Sequence, residues 1–330
     1  MRHKNFKFSR RQILGLGSAM AAYAAVPKAW AQSDYPSRSI RLVVPAAAGG
    51  ATDIIGRLVA QKASENWPAG MIVDNKPGGG GTIGTADVAR SKGDGYTLLL
   101  GAINHTINPA LVKNMPYDSV KEFTFISHLL SIPNVLIVKK SLDINTVSEF
   151  IEHCKENPGK LVFASSGNGT SQHLAGEMFM METGVKYLHV PYKGAAPAMN
   201  DLLGGHVDFM FDNLPAAAQQ IRAGTVRALG VTSEKRSPAF PDLPAISETV
   251  PGFDVRSWFG LMGPAGMSSE VVQKLHEQMV TVFSDPALQE RVASLGGVPD
   301  VTDPQSFNAY VMQEMERWAK VVEASGAKIE

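Results

Sequence analysis

Two stretches of the chain gather small and hydroxyl-bearing residues between a strand-like run and a helix-like run. The first is Gly49-Gly50-Ala51-Thr52-Asp53. Glycine lets a backbone approach a ligand closely, and Thr52 or Asp53 can cap the following helix. The opening amides of a helix have no intrahelical partner. With the helix dipole they attract an anion without any Lys or Arg. The second stretch is Ser165-Ser166-Gly167-Asn168-Gly169-Thr170-Ser171-Gln172-His173. It turns several N–H and O–H donors toward one point and contains no acid, which suits a carboxylate better than a metal ion. An ordinary capped turn explains either stretch alone; the pair says more. In open α/β sheets ligands sit beyond the carboxyl ends of strands. One such turn on each of two lobes would set two helix N-termini across a cleft, clamping a small molecule with a carboxylate at each end.

A third run, Pro191-Tyr192-Lys193-Gly194-Ala195-Ala196-Pro197-Ala198, could let Lys193 or Tyr192 reach a ligand, and a later strand ends at Phe211-Asp212-Asn213, where Asp212 could organise the cleft. Asp53 and Asp212 are expected to organise caps or water rather than to touch an anion. Catalytic patterns are poor. Gly79, Gly81 and Gly84 spell G-x-G-x-x-G, but the next strand ends at Leu100-Gly101-Ala102-Ile103-Asn104 without the acid a dinucleotide site needs. No G-x-S-x-G elbow occurs. The histidines show no H-E-x-x-H pattern, so neither a metal nor a cofactor is expected. The alternatives are a secreted hydrolase using Ser171 and His173, and a ligand-sensing accessory of a membrane signalling system.

The elements that must hold these turns alternate. Ile40 to Val44, Met71 to Val73 and Tyr96 to Leu100 read as strands, separated by helical spacing from Ile54 to Ala63 and from Thr82 to Ala89. That β-α-β-α-β order implies a parallel sheet covered by helices. The rhythm returns with strands at Val135 to Val138, Leu161 to Ala164, Tyr187 to Val190, Val207 to Phe211 and Val226 to Val231. Between them lie helices at Val147 to Glu156 and around Leu174, Met178 and Met181. The last third is mostly helical. Pro and Gly near Ser131-Ile132-Pro133 and Pro251-Gly252-Phe253 mark the expected crossings between lobes.

The 330 residues balance 31 Lys and Arg against 31 Asp and Glu. The balance is uneven. Residues 1–31 carry Arg2, Lys4, Lys7, Arg10, Arg11 and Lys28 and no acid, which leaves the remainder acidic. Such a body is a poor partner for nucleic acid. The basic stretch, Arg10-Arg11, the apolar run Ile13 to Val26 and Ala29-Trp30-Ala31 read as an export signal cleaved near Ala31, of the twin-arginine type, although Gly15 stands where a lysine is usual. The apolar run is short of the roughly 18–20 residues a membrane anchor needs. Cys154, the single cysteine, allows no internal disulfide.

Several short motifs, in order, carry a specific resemblance: Tyr35-Pro36-Ser37-Arg38-Ser39-Ile40-Arg41-Leu42-Val43-Val44-Pro45, Gly49 to Asp53, Val73-Asp74-Asn75-Lys76-Pro77-Gly78, and Asp94-Gly95-Tyr96-Thr97-Leu98-Leu99. Ser166-Gly167-Asn168-Gly169-Thr170, Pro191-Tyr192-Lys193-Gly194, Leu202-Leu203-Gly204-Gly205 and Trp258-Phe259-Gly260-Leu261 follow. The chain resembles the Bug (TctC) family of extracytoplasmic solute receptors, which serve tripartite tricarboxylate transporters. The resemblance implies an α/β, type II-like periplasmic binding protein with two lobes, a hinge and an interlobe cleft. Each lobe is a mostly parallel sheet flanked by helices, one made of residues 32–132 and 254–330, the other of 133–253. It implies a non-enzymatic, monomeric periplasmic receptor that delivers a small dicarboxylate or aromatic carboxylate to membrane subunits of the transporter. The ligand would be held by Gly49, Gly50, Ala51, Thr52, Asp53, Ser166, Gly167, Gly169, Thr170, Ser171, His173, Lys193, Gly194 and Asp212. Two positions depart from the family pattern. Ala46 replaces a frequent aromatic after the proline, and Ala195 replaces a frequent second glycine. The loss of a ring at Ala46 implies a wider pocket.

Overall fold

The computed structural model describes residues 35–325. Its first strand, β1 (Ile40–Val44), is apolar and buried on both faces except at half-buried Arg41, which suits an interior parallel strand. It pairs in parallel with β2 (Met71–Asn75) on one side and β3 (Thr97–Ala102) on the other. The crossovers are α1 (Ala51–Asn66) and α2 (Thr82–Ala89). In α1 the buried Ile55, Val59 and Ala63 fall at four-residue intervals, one stripe of a helix laid on the sheet. A short helix, α3 (Asn104–Leu111), follows β3.

The long strand β4 (Phe123–Lys139) joins two halves of one sheet. Up to Pro133 it pairs antiparallel with β9 (Arg256–Pro264), and β9 also pairs antiparallel with β3. From Asn134 onward β4 pairs antiparallel with β7 (Phe209–Asn213), and from Val135 with β8 (Val226–Val231). The second half is completed by β5 (Val162–Ser165) and β6 (Leu188–Pro191), parallel to each other and, through β5, to β7. The strand order β2-β1-β3-β9-β4-β7-β5-β6 therefore keeps a parallel block at each end, with antiparallel β9 and β4 between them. This fits the mostly parallel sheets expected for each lobe. The alternation shows a crossover helix between neighbours, but it carries no sign of strands that return antiparallel from far along the chain.

Helices α4 (Val147–Glu156), α5 (Ser171–Thr183), α6 (Ala195–Leu203) and α7 (Leu214–Arg222) cover the second half. In α5 the buried apolar face is Leu174, Ala175, Met178 and Phe179. Met181 is 48% exposed, so the stripe expected through Leu174, Met178 and Met181 is shifted toward Phe179. After β9 come α8 (Ser269–Ser284), α9 (Pro286–Ser294) and α10 (Pro304–Ser325), the last packing on α3, β4 and α5. One core cluster runs through both halves, from Phe123 and Phe125 past Trp258 and Phe307 to Phe150, Phe163, Phe179, Phe209 and Phe211. Truncating any of these rings to Ala costs about 3–5 kcal/mol. Cys154 is buried in the same cluster and its thiol is pushed up to about 12, so it is unreactive. No helix among the described residues is long and apolar enough to cross a membrane. The export signal read from residues 1–31 lies outside the described residues.

Candidate functional site

The first turn is built around a carboxylate. Gly50 enters α1 in extended conformation, and no side chain caps the helix. Asp53 lies one step further in, 3% exposed, and reaches backward. Its Oδ2 accepts the Gly49 N–H at 2.8 Å and Arg57 Nε–H at 3.0 Å, and its Oδ1 accepts Asn75 Nδ2–H at 2.9 Å. Asn75, at the end of β2, also donates to the Ala46 carbonyl at 3.2 Å. Burial alone would raise the Asp53 carboxyl, but the bonds from Arg57, Gly49 and Asn75 outweigh it and hold the group below its ordinary value. The expected cap by Thr52 or Asp53 is thus corrected. Asp53 ties the loop Ala46–Gly49 to the neighbouring strand and leaves the amides of Ala51 and Thr52 uncapped at the mouth of α1. Gly49 and Gly50 are exposed there, and Ala51 and Thr52 are half-buried.

The second turn is built from neutral donors. Thr170 caps α5, its Oγ1 accepting the His173 N–H at 3.3 Å and donating to the Gly167 carbonyl at 2.7 Å. Ser166 Oγ–H donates to Gln172 Oε1 at 2.8 Å, and Ser165 Oγ–H to the Gly167 carbonyl at 3.3 Å. Gly167 and Gly169 take φ of +129° and +76°, which bends the loop back over the helix start. Gly194 joins this turn, donating its N–H to the Ser166 carbonyl at 3.1 Å. Lys193 does not: it is exposed and takes no part in the ion pairs found among the described residues.

A junction that the sequence reading passed over connects the two turns. Gly78–Gly81 all have positive φ. A Cβ on Gly81 would stand 3.3 Å from the Pro45 carbonyl, beside the first turn, and one on Gly80 would stand 3.7 Å from the Asn168 carbonyl in the second. Asn104 and Asn108, one helical turn apart on α3, donate to the Gly80 carbonyl at 2.7 and 3.1 Å. The Gly-rich run that resembled a dinucleotide loop is therefore the bridge between the turns. Four consecutive glycines followed by asparagines four apart were its sequence signal.

Behind the second turn lies a buried network of uncharged groups. Ser257 Oγ–H donates to Ser171 Oγ at 2.7 Å, and Ser171 Oγ–H donates to Asn134 Oδ1 at 3.3 Å. Asn213 Nδ2–H reaches both Asn134 Oδ1 at 2.7 Å and Ser257 Oγ at 3.1 Å. Asn134 and Ser257 sit on β4 and β9, so the start of α5 is fastened to the two antiparallel strands between the halves. Asp212 is fully buried beside this network. It accepts the Asn213 N–H at 2.8 Å and Gln172 Nε2–H at 3.5 Å, and burial pushes its carboxyl up to about 7. It joins the backbone of Asn213 to the side chain of Gln172.

The hydrolase pairing is not assembled. Ser171 Oγ is engaged by Ser257 and Asn134, while His173 Nδ1 accepts the Gly169 N–H at 3.3 Å and its Nε2 faces Glu177 Oε1 at 3.5 Å. His173, Glu177 and His189 bring possible ligand atoms within 4.8 Å of one another. The two imidazoles are stacked, with centroids 4.4 Å apart and planes 18° apart, so their in-plane lone pairs run side by side instead of converging on an ion.

The sequence profile described as tripartite tricarboxylate transporter family receptor, TctC, matches residues 55–327. The chain belongs to the TctC receptor family. This TctC chain is 34% identical to protein BugT of Bordetella pertussis (strain Tohama I) over 320 residues, spanning 96% of this chain and 97% of BugT. It also matches the structure of R. palustris Rpa4515 with adipate at a TM-score of 0.85 and 36% identity, covering 90% of this chain and 100% of that one. The structure of the periplasmic binding protein BugD matches at 0.82 and 39% identity, with the same coverage. The TctC family is one of receptors, and the fold is that of two-lobed periplasmic binding proteins.

Proposed function

We propose that this TctC chain is a periplasmic receptor, exported by the signal at residues 1–31, that closes its two lobes on a small organic carboxylate and delivers it to the membrane subunits of a tripartite transporter. The lobes are residues 32–132 with 254–330, and residues 133–253. β4 changes partner from β9 to β7 between Pro133 and Asn134, which supports the hinge there. One observation carries the reading. Two strand-to-helix turns, rich in backbone amides and hydroxyls, meet at the same glycine bridge. Such donors stabilise a carboxylate through helix dipoles and hydrogen bonds. Gly49, Gly50, Ala51 and Thr52 supply one side. Ser166, Gly167, Gly169 and Thr170 supply the other, with Gly194 beside them. Asp53, Ser171, His173 and Asp212 hold these groups in place.

The adipate in Rpa4515 supports a ligand with a carboxylate at each end. Ala46 is followed by exposed Ala47 and Ala48, and a mouth lined by these small side chains also admits a wider, aromatic acid. Mass spectrometry of small molecules released on denaturing freshly purified mature protein tests the reading, followed by calorimetric titration with adipate, succinate and benzoate. The expected result is about one carboxylate per chain, released or bound. Turnover of an ester with no carboxylate bound would overturn it.

A further inference from the structure

The tip of the second turn touches the other half of the molecule. Besides the approach of Gly80 to the Asn168 carbonyl, a Cβ on Gly169 would stand 3.1 Å from Asn108 Oδ1 and 3.0 Å from Leu111 Cδ2, both on α3. Gly169 is buried, and it fits because it has no side chain and takes φ +76°. What orients it is its amide, which donates to His173 Nδ1. That bond assigns the tautomer, because Nδ1 must present a lone pair and the ring proton must sit on Nε2, beside Glu177. A proton added at Nδ1 would set two donors face to face and break the bond.

We propose that Asn168–Gly169 is an interlobe latch held by the unprotonated Nδ1 of His173, and that protonation there releases it. His173 is then a positioning residue. Where the chain binds a carboxylate as proposed above, its affinity falls as pH falls. The latch itself does not depend on that reading.

Among the groups around the latch, His173 is the one whose ring touches the Gly169 amide. His189, on β6, is stacked on it, and its Nε2 lies 2.7 Å from Ser165 Oγ. Burial and the His173 ring push His189 down to about 3, so it stays neutral. On α5 itself the facing charge is Glu177, 11% exposed. Tyr187, just before β6, donates to the Gly176 carbonyl, and burial first, then Glu177 and Cys154 of α4, hold its hydroxyl protonated. From β7, Asp212 meets α5 at Gln172, and burial pushes its carboxyl up to about 7, so it too takes up a proton as pH falls. From α10, Arg317 meets Met178 and pairs with Glu314. On α3, His105 faces away, its Nε2 2.8 Å from the Ser119 carbonyl.

Two measurements on the mature full-length chain test this. Long-range proton–nitrogen NMR of the ligand-free protein should show His173 protonated on Nε2 only near pH 7.5, with the Gly169 amide shifting as Nδ1 takes up a proton. Calorimetric titration with adipate should show affinity at least about threefold weaker at pH 6, where the ligand stays mostly ionised, than at pH 7.5. His173→Asn, whose carboxamide oxygen can accept the Gly169 N–H but takes up no proton, should cut that ratio below about 1.5-fold. His189→Gln and Asp212→Asn should keep it. A proton on His173 Nδ1 at pH 7.5, a Gly169 amide that does not follow the ring, or an undiminished ratio in His173→Asn would overturn the latch. Adipate that binds at no pH would count against the carboxylate reading, while the NMR result would still decide the latch.

Discussion

The two strand-to-helix turns look alike in sequence and are built on opposite principles. The turn at Gly49–Asp53 is organised by one ionised group, since the Asp53 carboxylate collects bonds from Gly49, Arg57 and Asn75. Those partners all lie within the first half of the sheet, so this turn is finished before the second half is reached. The turn at Ser165–His173 contains no ion. It is capped by Thr170, wired through Ser171 to Asn134 on β4 and Ser257 on β9, and pressed through Gly169 against α3. One turn is a fixed anvil. The other is connected to the strands between the halves and to the opposite half. Leaving the charge out of the second turn has a physical consequence: an ionised carboxylate there would offset the attraction for anions that the start of α5 provides.

The comparison can be broken or sharpened by substitution. The largest effect is expected at Asp53→Ala. It leaves the Gly49, Arg57 and Asn75 donors without their acceptor and should cost about 2–3 kcal/mol in urea unfolding, with loss of carboxylate binding. A smaller loss would mean that the loop does not depend on this one charge. Asp212→Asn should act in the opposite direction. Burial holds the Asp212 carboxyl near 7, so the folded state keeps a proton that the unfolded state releases near 4. Its contribution to stability is complete below about pH 4 and is lost as pH rises through 7, by up to about 1.4 kcal/mol per pH unit. The variant should therefore gain on the wild type in urea unfolding between about pH 4 and 7 and hold that gain above; a gap independent of pH across that range would refute the buried neutral acid. Thr170→Ala removes one helix cap and should cost about 1 kcal/mol, with binding weakened rather than abolished. Full wild-type stability in that variant would show that the cap is dispensable.

Much of this was legible in the sequence where a local pattern decided the outcome. The apolar run of β1, the four-residue stripe of α1 and the Thr170 cap of α5 all follow from short-range chemistry. So did the gathering of Ser166, Gly167 and Thr170 around one helix start. The parts that were not legible depend on pairing between distant residues. Asn134, Ser171, Asn213 and Ser257 are ordinary polar residues until β4, β7 and β9 are placed side by side in register. Asp53 read as a cap because its position near a helix start is the only local information. Its true role depends on Asn75, 22 residues away on the neighbouring strand. Lys193 read as a reaching side chain because it follows Pro191-Tyr192, and nothing local shows that the turn beyond it contributes an amide, at Gly194, instead.

The central claim is that one carboxylate is held between the two turns. Calorimetric titration of adipate into the wild type, Gly50→Trp and Thr170→Trp tests it most directly. Gly50 has ordinary extended backbone and open surroundings, so it can carry a side chain without strain while blocking the mouth of α1. The account predicts one site per chain in the wild type and none in either folded variant. Wild-type affinity in either variant would contradict it.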